Sequence, residues 1–145
     1  MAEFDIARAR TILARDFAPW VQDLGLTVAA VGKDAATLAM AAGPRVARAG
    51  GIVCGQALMA LADTAMVFAV AAASGGYRPM TTVGQTISFM KPAAGERVVA
   101  AARVMRLGKT LAFGEIALTD AAGALVAHAT ATYAILGPVA EDPSP

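Results

Sequence analysis

GIVCGQALMALADTAMVFAV, residues 51–70, is an apolar helix-length stretch interrupted by a single acid, Asp63. The apolar character runs on from Ile52 to Ala73, long enough for a membrane span to be weighed. Asp63 argues against one. An acid at the centre of a spanning helix costs about 2.5–3.5 kcal/mol on insertion scales. Gln56 adds to that cost, and the chain has no second apolar segment of this length to bury the two against. The pattern instead predicts a central helix covered by protein on several sides, with no membrane partner.

The flanking segments say what covers it. On the N-terminal side, Phe4 to Phe17 places Phe4, Ile6, Ile12, Leu13 and Phe17 beside Arg8, Arg10, Arg15 and Asp16, an imperfect amphipathic helix that must end before Pro19. Leu24 to Val31 and Ala36 to Ala42 are strand-like runs joined by the turn Gly32-Lys33-Asp34. Gly43 to Gly50, GPRVARAG, reads as a loop delivering the chain to the central helix. Beyond Gly75-Gly76 lie strand-like runs at Met80 to Met90, Val98 to Leu107, Leu111 to Thr119 and Ala124 to Leu136. Turn signals at Pro92 to Gly95, Gly108-Lys109 and Asp120 to Gly123 separate them. Connections this short join neighbouring antiparallel strands, so an antiparallel meander of four strands is expected. The whole is one α+β domain spanning residues 1–145, with a helical lead-in over 1–20, one sheet wrapped around one principal helix, and a disordered tail over 139–145.

Composition narrows the function. The chain is 57% hydrophobic but only 6% aromatic, so its core is built from Ala, Val, Leu, Ile and Met. A mean hydropathy of +0.59 is high for a small monomer and points to apolar surface covered by another subunit. A net charge of +1 offers no basic stripe for nucleic acid. Cys54 and His128 are the only cysteine and histidine, which excludes an internal disulfide and disfavours a zinc site, so no metal is expected. The N-terminal Met-Ala-Glu-Phe-Asp carries acids where a signal peptide would carry cations, which makes the cytoplasm the expected compartment.

From Gly43 to Ile135 the residues resemble the hotdog-fold acyl-CoA thioesterases of the phenylacetyl-CoA and 4-hydroxybenzoyl-CoA thioesterase type. The resemblance rests on Gly51-Ile-Val-Cys54-Gly55 leading into Leu58-Met-Ala-Leu-Ala-Asp63-Thr64-Ala, on Thr81-Thr82 with Ile87-Ser-Phe89-Met-Lys-Pro92, and on Arg106-Leu-Gly108-Lys109. The closing strands, Gly114 to Asp120 and Gly123 to Tyr133, complete it. It implies a hotdog fold, a homodimer that pairs into a dimer of dimers, an acyl-CoA substrate, hydrolysis to free acid and coenzyme A, and no cofactor.

The same resemblance implies that Gly55 opens the central helix and that Asp63 is the catalytic acid. Eight positions of helix separate them by about 12 Å along the axis, too far for one subunit's site to use both. Antiparallel helices from two subunits would set the first turn of one beside the middle of the other. Backbone N–H groups at Gly55 and Gln56 would then stabilise the oxyanion. Asp63 would attack the thioester or deprotonate a water. Cys54, Gln56, Thr64 and Thr82 are expected to line the substrate site, with Arg106 and Lys109, and less strongly Lys91, near the nucleotide phosphates. Thr86 and Ser88 share a strand with Thr82 and could add hydroxyls. Where the family carries Asn, Gly and His-Gly-Gly at the helix entrance, this chain has Arg48, Gly51 and Cys54-Gly55-Gln56. That departure keeps a non-catalytic acyl-CoA-binding protein open as the alternative, and a hotdog dehydratase as a weaker one because His128 lies far off in sequence.

Overall fold

A computed structural model describes residues 3–141. Helix α1 (Ile6–Asp16) begins at Asp5, whose carboxylate caps the N–H of Arg8 at 2.9 Å. Its buried residues, Ala9, Ile12 and Leu13, fall at helical spacing and face strand β1 (Thr27–Val31), where Arg10 also bonds the Val28 carbonyl. Pro19 ends the expected helix as the sequence requires, and it also starts one that the sequence did not suggest. A proline fits the first position of a helix, and α2 (Pro19–Gln22) follows.

Strand β2 (Ala35–Ala41), helix α3 (Gly55–Ser74), β3 (Met80–Phe89), β4 (Arg97–Leu107), β5 (Leu111–Asp120) and β6 (Leu125–Ile135) complete the fold. The six strands form one antiparallel sheet in the order β1-β2-β4-β5-β6-β3. Alternate residues Leu38, Met40, Val98, Ala100, Ile116, Leu118, Ala129 and Tyr133 turn inward onto α3, whose Leu61, Met66 and Phe68 have no exposed surface. Gly114 makes this approach possible: a Cβ there would lie 2.2 Å from Met66 Cε and 2.6 Å from the Arg103 carbonyl. By length and composition α3 could cross a membrane, but here its apolar surface is the core of the fold.

The four-strand meander is corrected. Strands β4, β5 and β6 follow one another, but β3 sits at the far edge beside β6, three strands from β4. Three strand spacings amount to about 14 Å, and an extended linker over residues 90–96 spans up to about 3.3 Å per residue, so a short connection can bridge non-neighbours across the end of a sheet. It does so by binding the β5–β6 turn. The Met90 N–H reaches the Val126 carbonyl at 2.8 Å, and the Ala94 N–H reaches the Asp120 carboxylate at 3.2 Å.

Two boundaries also move. The loop before α3 folds back as a small hairpin, with Ala47 bridged to Val53 and the Cys54 N–H on the Val46 carbonyl, so the helix starts at Gly55, as the resemblance implied, and not where the apolar run begins at Ile52. The tail is still docked at residue 140, where the Ala140 N–H bonds the Tyr77 carbonyl at 2.7 Å, and residues 142–145 lie outside the described part.

Candidate active site

Asp63 lies on the one face of α3 that the sheet leaves partly open. It borders a groove of about 540 Å³ walled by α3, β3 and the α1–α2 corner. Gln56, Thr64 and Thr82 line the same groove, so four of the expected site residues come together there. The Thr64 hydroxyl is committed to its own helix, donating to the Ala60 carbonyl at 2.7 Å. Phe17, Trp20, Val21, Met59, Val67 and Met80 supply the groove's apolar wall.

The acid is held by the sheet. Thr82 donates to Asp63 Oδ1 at 2.9 Å, and the Tyr133 hydroxyl makes a very short contact with the same oxygen while lying 2.6 Å from the Asp63 carbonyl. Thr82 and Tyr133 are direct partners in the β3–β6 register, which is why both hydroxyls reach one carboxylate. Tyr133 is 1% exposed. Burial, then the Asp63 charge, pushes its phenol well above the usual range, so it remains a proton donor at any working pH.

A bulge shapes the rest of the wall. Strand β3 gains one residue against β6 between Thr82 and Gly84, leaving Val83 unpaired. Strict alternation would put residues 82 and 85 on opposite faces. The extra residue turns both inward, and Gln85 reaches α3 by donating to the Met59 carbonyl at 3.3 Å. It also corrects the expectation for Thr86 and Ser88, which pair with Thr130 and His128 on the outer face, away from Asp63. His128 is there too, 3.3 Å from Glu115, which pairs at 2.5 Å with Arg103. The single histidine therefore belongs to an exposed charge cluster on the sheet's outer surface.

Gly55 opens elsewhere. With Arg48, Leu58, Phe89 and Lys91 it lines a second groove of about 380 Å³. A Cβ at position 55 would lie 3.2 Å from the Phe89 ring, so glycine lets the helix start approach β3. Cys54 is the N-cap, makes no side-chain cap and packs on the core, so the first-turn N–H groups of α3 receive no side-chain acceptor from it. Lys91 and Arg48 are the cations bordering this groove, whereas Arg106 and Lys109 are exposed at the β4–β5 turn and line neither groove. Among the described residues no three His, Cys, Asp or Glu side chains gather as a metal site.

Tyr133 is the residue sequence reading passed over. A lone phenol at a core position in the small-residue strand AHATATY is a signal in hindsight, because a buried hydroxyl needs a partner.

Residues 50–127 match the family model of the thioesterase superfamily. Among solved structures the chain is similar to the PaaI protein of the E. coli phenylacetic acid degradation operon, at 20% identity over 94% of this chain and 99% of that chain, with TM-score 0.80. It is similar to the thioesterase HI1161 from Haemophilus influenzae at 18% identity, covering 94% of this chain and 93% of the other, with TM-score 0.83. The phenylacetic acid degradation protein PaaI from Thermus thermophilus aligns at 26% identity over 82% of this chain and 100% of its own, with TM-score 0.73. No curated protein sequence matches significantly. The sheet wrapped on one long helix is the hotdog fold that the sequence resemblance implied.

Proposed function

The chain belongs to the thioesterase superfamily and is a thioester hydrolase, and we propose that it cleaves an acyl-coenzyme A thioester in a site shared between two subunits. The observation that carries this reading is the separation of Asp63 and Gly55 into two different grooves of one chain, each holding half of what the reaction needs. A second copy lying antiparallel would bring the Gly55 end of its helix to the Asp63 groove of the first. The exposed edge supports such pairing. Val83, Phe89 and Met90 on and beside edge strand β3 are 61%, 51% and 53% exposed, an apolar edge that a lone chain would leave to water.

In that site the thioester carbonyl oxygen points at the N–H groups of Gly55 and Gln56 of the partner subunit, where the helix dipole favours developing negative charge. Asp63 takes a proton from water as the water oxygen bonds to the carbonyl carbon, or attacks that carbon itself to give an anhydride that water then opens. Collapse breaks the C–S bond. The coenzyme A thiolate, a good leaving group, departs and takes up a proton, so no separate nucleophilic triad is required. The apolar wall of Phe17, Trp20, Met59, Val67 and Met80 suits the acyl group. Arg48 and Lys91, together with Arg106 and Lys109, are the cations offered to the phosphates.

Thiol release measured over short, medium, long and aromatic acyl-CoA thioesters tests this. Wild type is expected to turn over part of the panel and Asp63→Ala none of it. Turnover unchanged in Asp63→Ala would remove Asp63 from the reaction, and binding without turnover across the panel would contradict hydrolysis of acyl-CoA.

A further inference from the structure

We propose that Tyr133 is a positioning residue for the hydrolysis, acting through Asp63; the inference rests on the reading of Asp63 as the reacting acid. A carboxylate on a helix can rotate about its own side-chain bonds and present either oxygen. Here both sheet hydroxyls converge on Oδ1, and Oδ2 accepts no hydrogen bond among the described residues. The phenol also lies within hydrogen-bond distance of the Asp63 main-chain carbonyl, so one buried group fixes the side chain relative to its own helix turn. Oδ2 is thereby the oxygen left to face the groove and to meet water or thioester.

The arrangement is built into the fold. The register that sets Thr82 opposite Tyr133 ends at the bulge immediately after Thr82, so the bulge limits the hydroxyl pair to this one rung. An almost fully buried phenol with a raised proton affinity keeps its proton, and so keeps donating, when the pH changes. Holding a reacting oxygen in place matters because displacement of about 1 Å can cost about 100-fold in rate.

Tyr133→Phe removes the hydroxyl and keeps the ring. The expected result is a kcat lowered about 10- to 100-fold, the loss from one hydrogen bond to a charged group, with KM within about twofold, as for an interaction that acts on the chemical step. The same substitution made in Asp63→Asn is expected to change the residual rate by less than about twofold, because the two residues act as one unit. Thr82→Val, at an exposed strand position, provides a second variant and is expected to lower kcat in the same manner. A Tyr133→Phe enzyme as fast as wild type, beside an inactive Asp63→Ala, would overturn the inference and leave the function standing. An equal loss in the wild-type and Asp63→Asn backgrounds would also overturn it, since the phenol would then serve the core alone. Full activity in Asp63→Ala would overturn both readings.

Discussion

Asp63 and Asp120 are both acids drawn in from the surface, and the molecule treats them in opposite ways. Asp120 is 4% exposed, and backbone N–H groups use both of its oxygens: Ala122 and Ala124 bond Oδ1, and Ala94 bonds Oδ2. These donors, Ala94 first and then Ala124, hold its carboxyl below the usual range. Its task is complete in the folded chain, because it ties the linker from β3 to the turn between β5 and β6. Asp63 borders a groove and meets side-chain hydroxyls on one oxygen only. An acid whose hydrogen-bonding capacity is used up by backbone is structural; one deliberately left half-satisfied beside a cleft has capacity for chemistry.

The contrast can be broken most sharply at Asp63. Asp63→Ala is expected to lower kcat at least about 1,000-fold, in the range for loss of a general base, with little change in melting temperature, and steady-state thiol release with thermal unfolding checks both. A smaller loss, about 100-fold, is expected for Gly55→Val, whose added side chain meets Phe89 and would disturb the N–H groups proposed as oxyanion donors. It should leave the Asp63 groove unchanged, so a competitive ligand bound there through its acyl group should lose little affinity.

Asp120→Asn is expected to do the reverse: a lower melting temperature with kcat per folded molecule unchanged. The sign with pH follows from the depressed carboxyl. Its stabilisation is present above the unfolded value of 3.8 and disappears as pH falls through the lower folded value. Melting curves of wild type and variant should therefore converge in that acid range. Glu115, also depressed by Arg103 and then His128, contributes to both proteins alike and drops out of the difference. The smallest effect is expected for Glu115→Gln, on the exposed outer face, where neither rate nor melting temperature should change appreciably.

What could be read from the sequence follows the same divide. The central helix was legible because its residues are apolar on all sides around one acid, and Asp63 stood out for the cost of burying it. Strand positions were legible from turn signals, but pairing was not. Nothing in Pro92 to Gly95 says that the linker crosses a sheet end, since its reach suits a neighbour and a strand three places away equally well. The bulge at Val83 was hidden for a similar reason: an unbroken run of alternating residues looks the same with or without one unpaired residue. That one residue moved Thr86 and Ser88 off the site and brought Gln85 onto it. Tyr133 escaped notice because its role is set by the rung it shares with Thr82, which is a property of the register. The α1–α2 corner was missed as a groove wall because Pro19 reads as a stop and here is also a start.

Mixed dimers test whether Asp63 of one subunit works with the Gly55 helix end of another. Asp63→Ala and Gly55→Val chains, each retaining about 1% of the rate or less alone, would be co-produced with different tags and their thiol release compared with wild type. Half of the dimers would be mixed, and one of the two sites in each would be intact, so about one quarter of wild-type activity per subunit is expected. No recovery in purified mixed dimers would contradict the shared site.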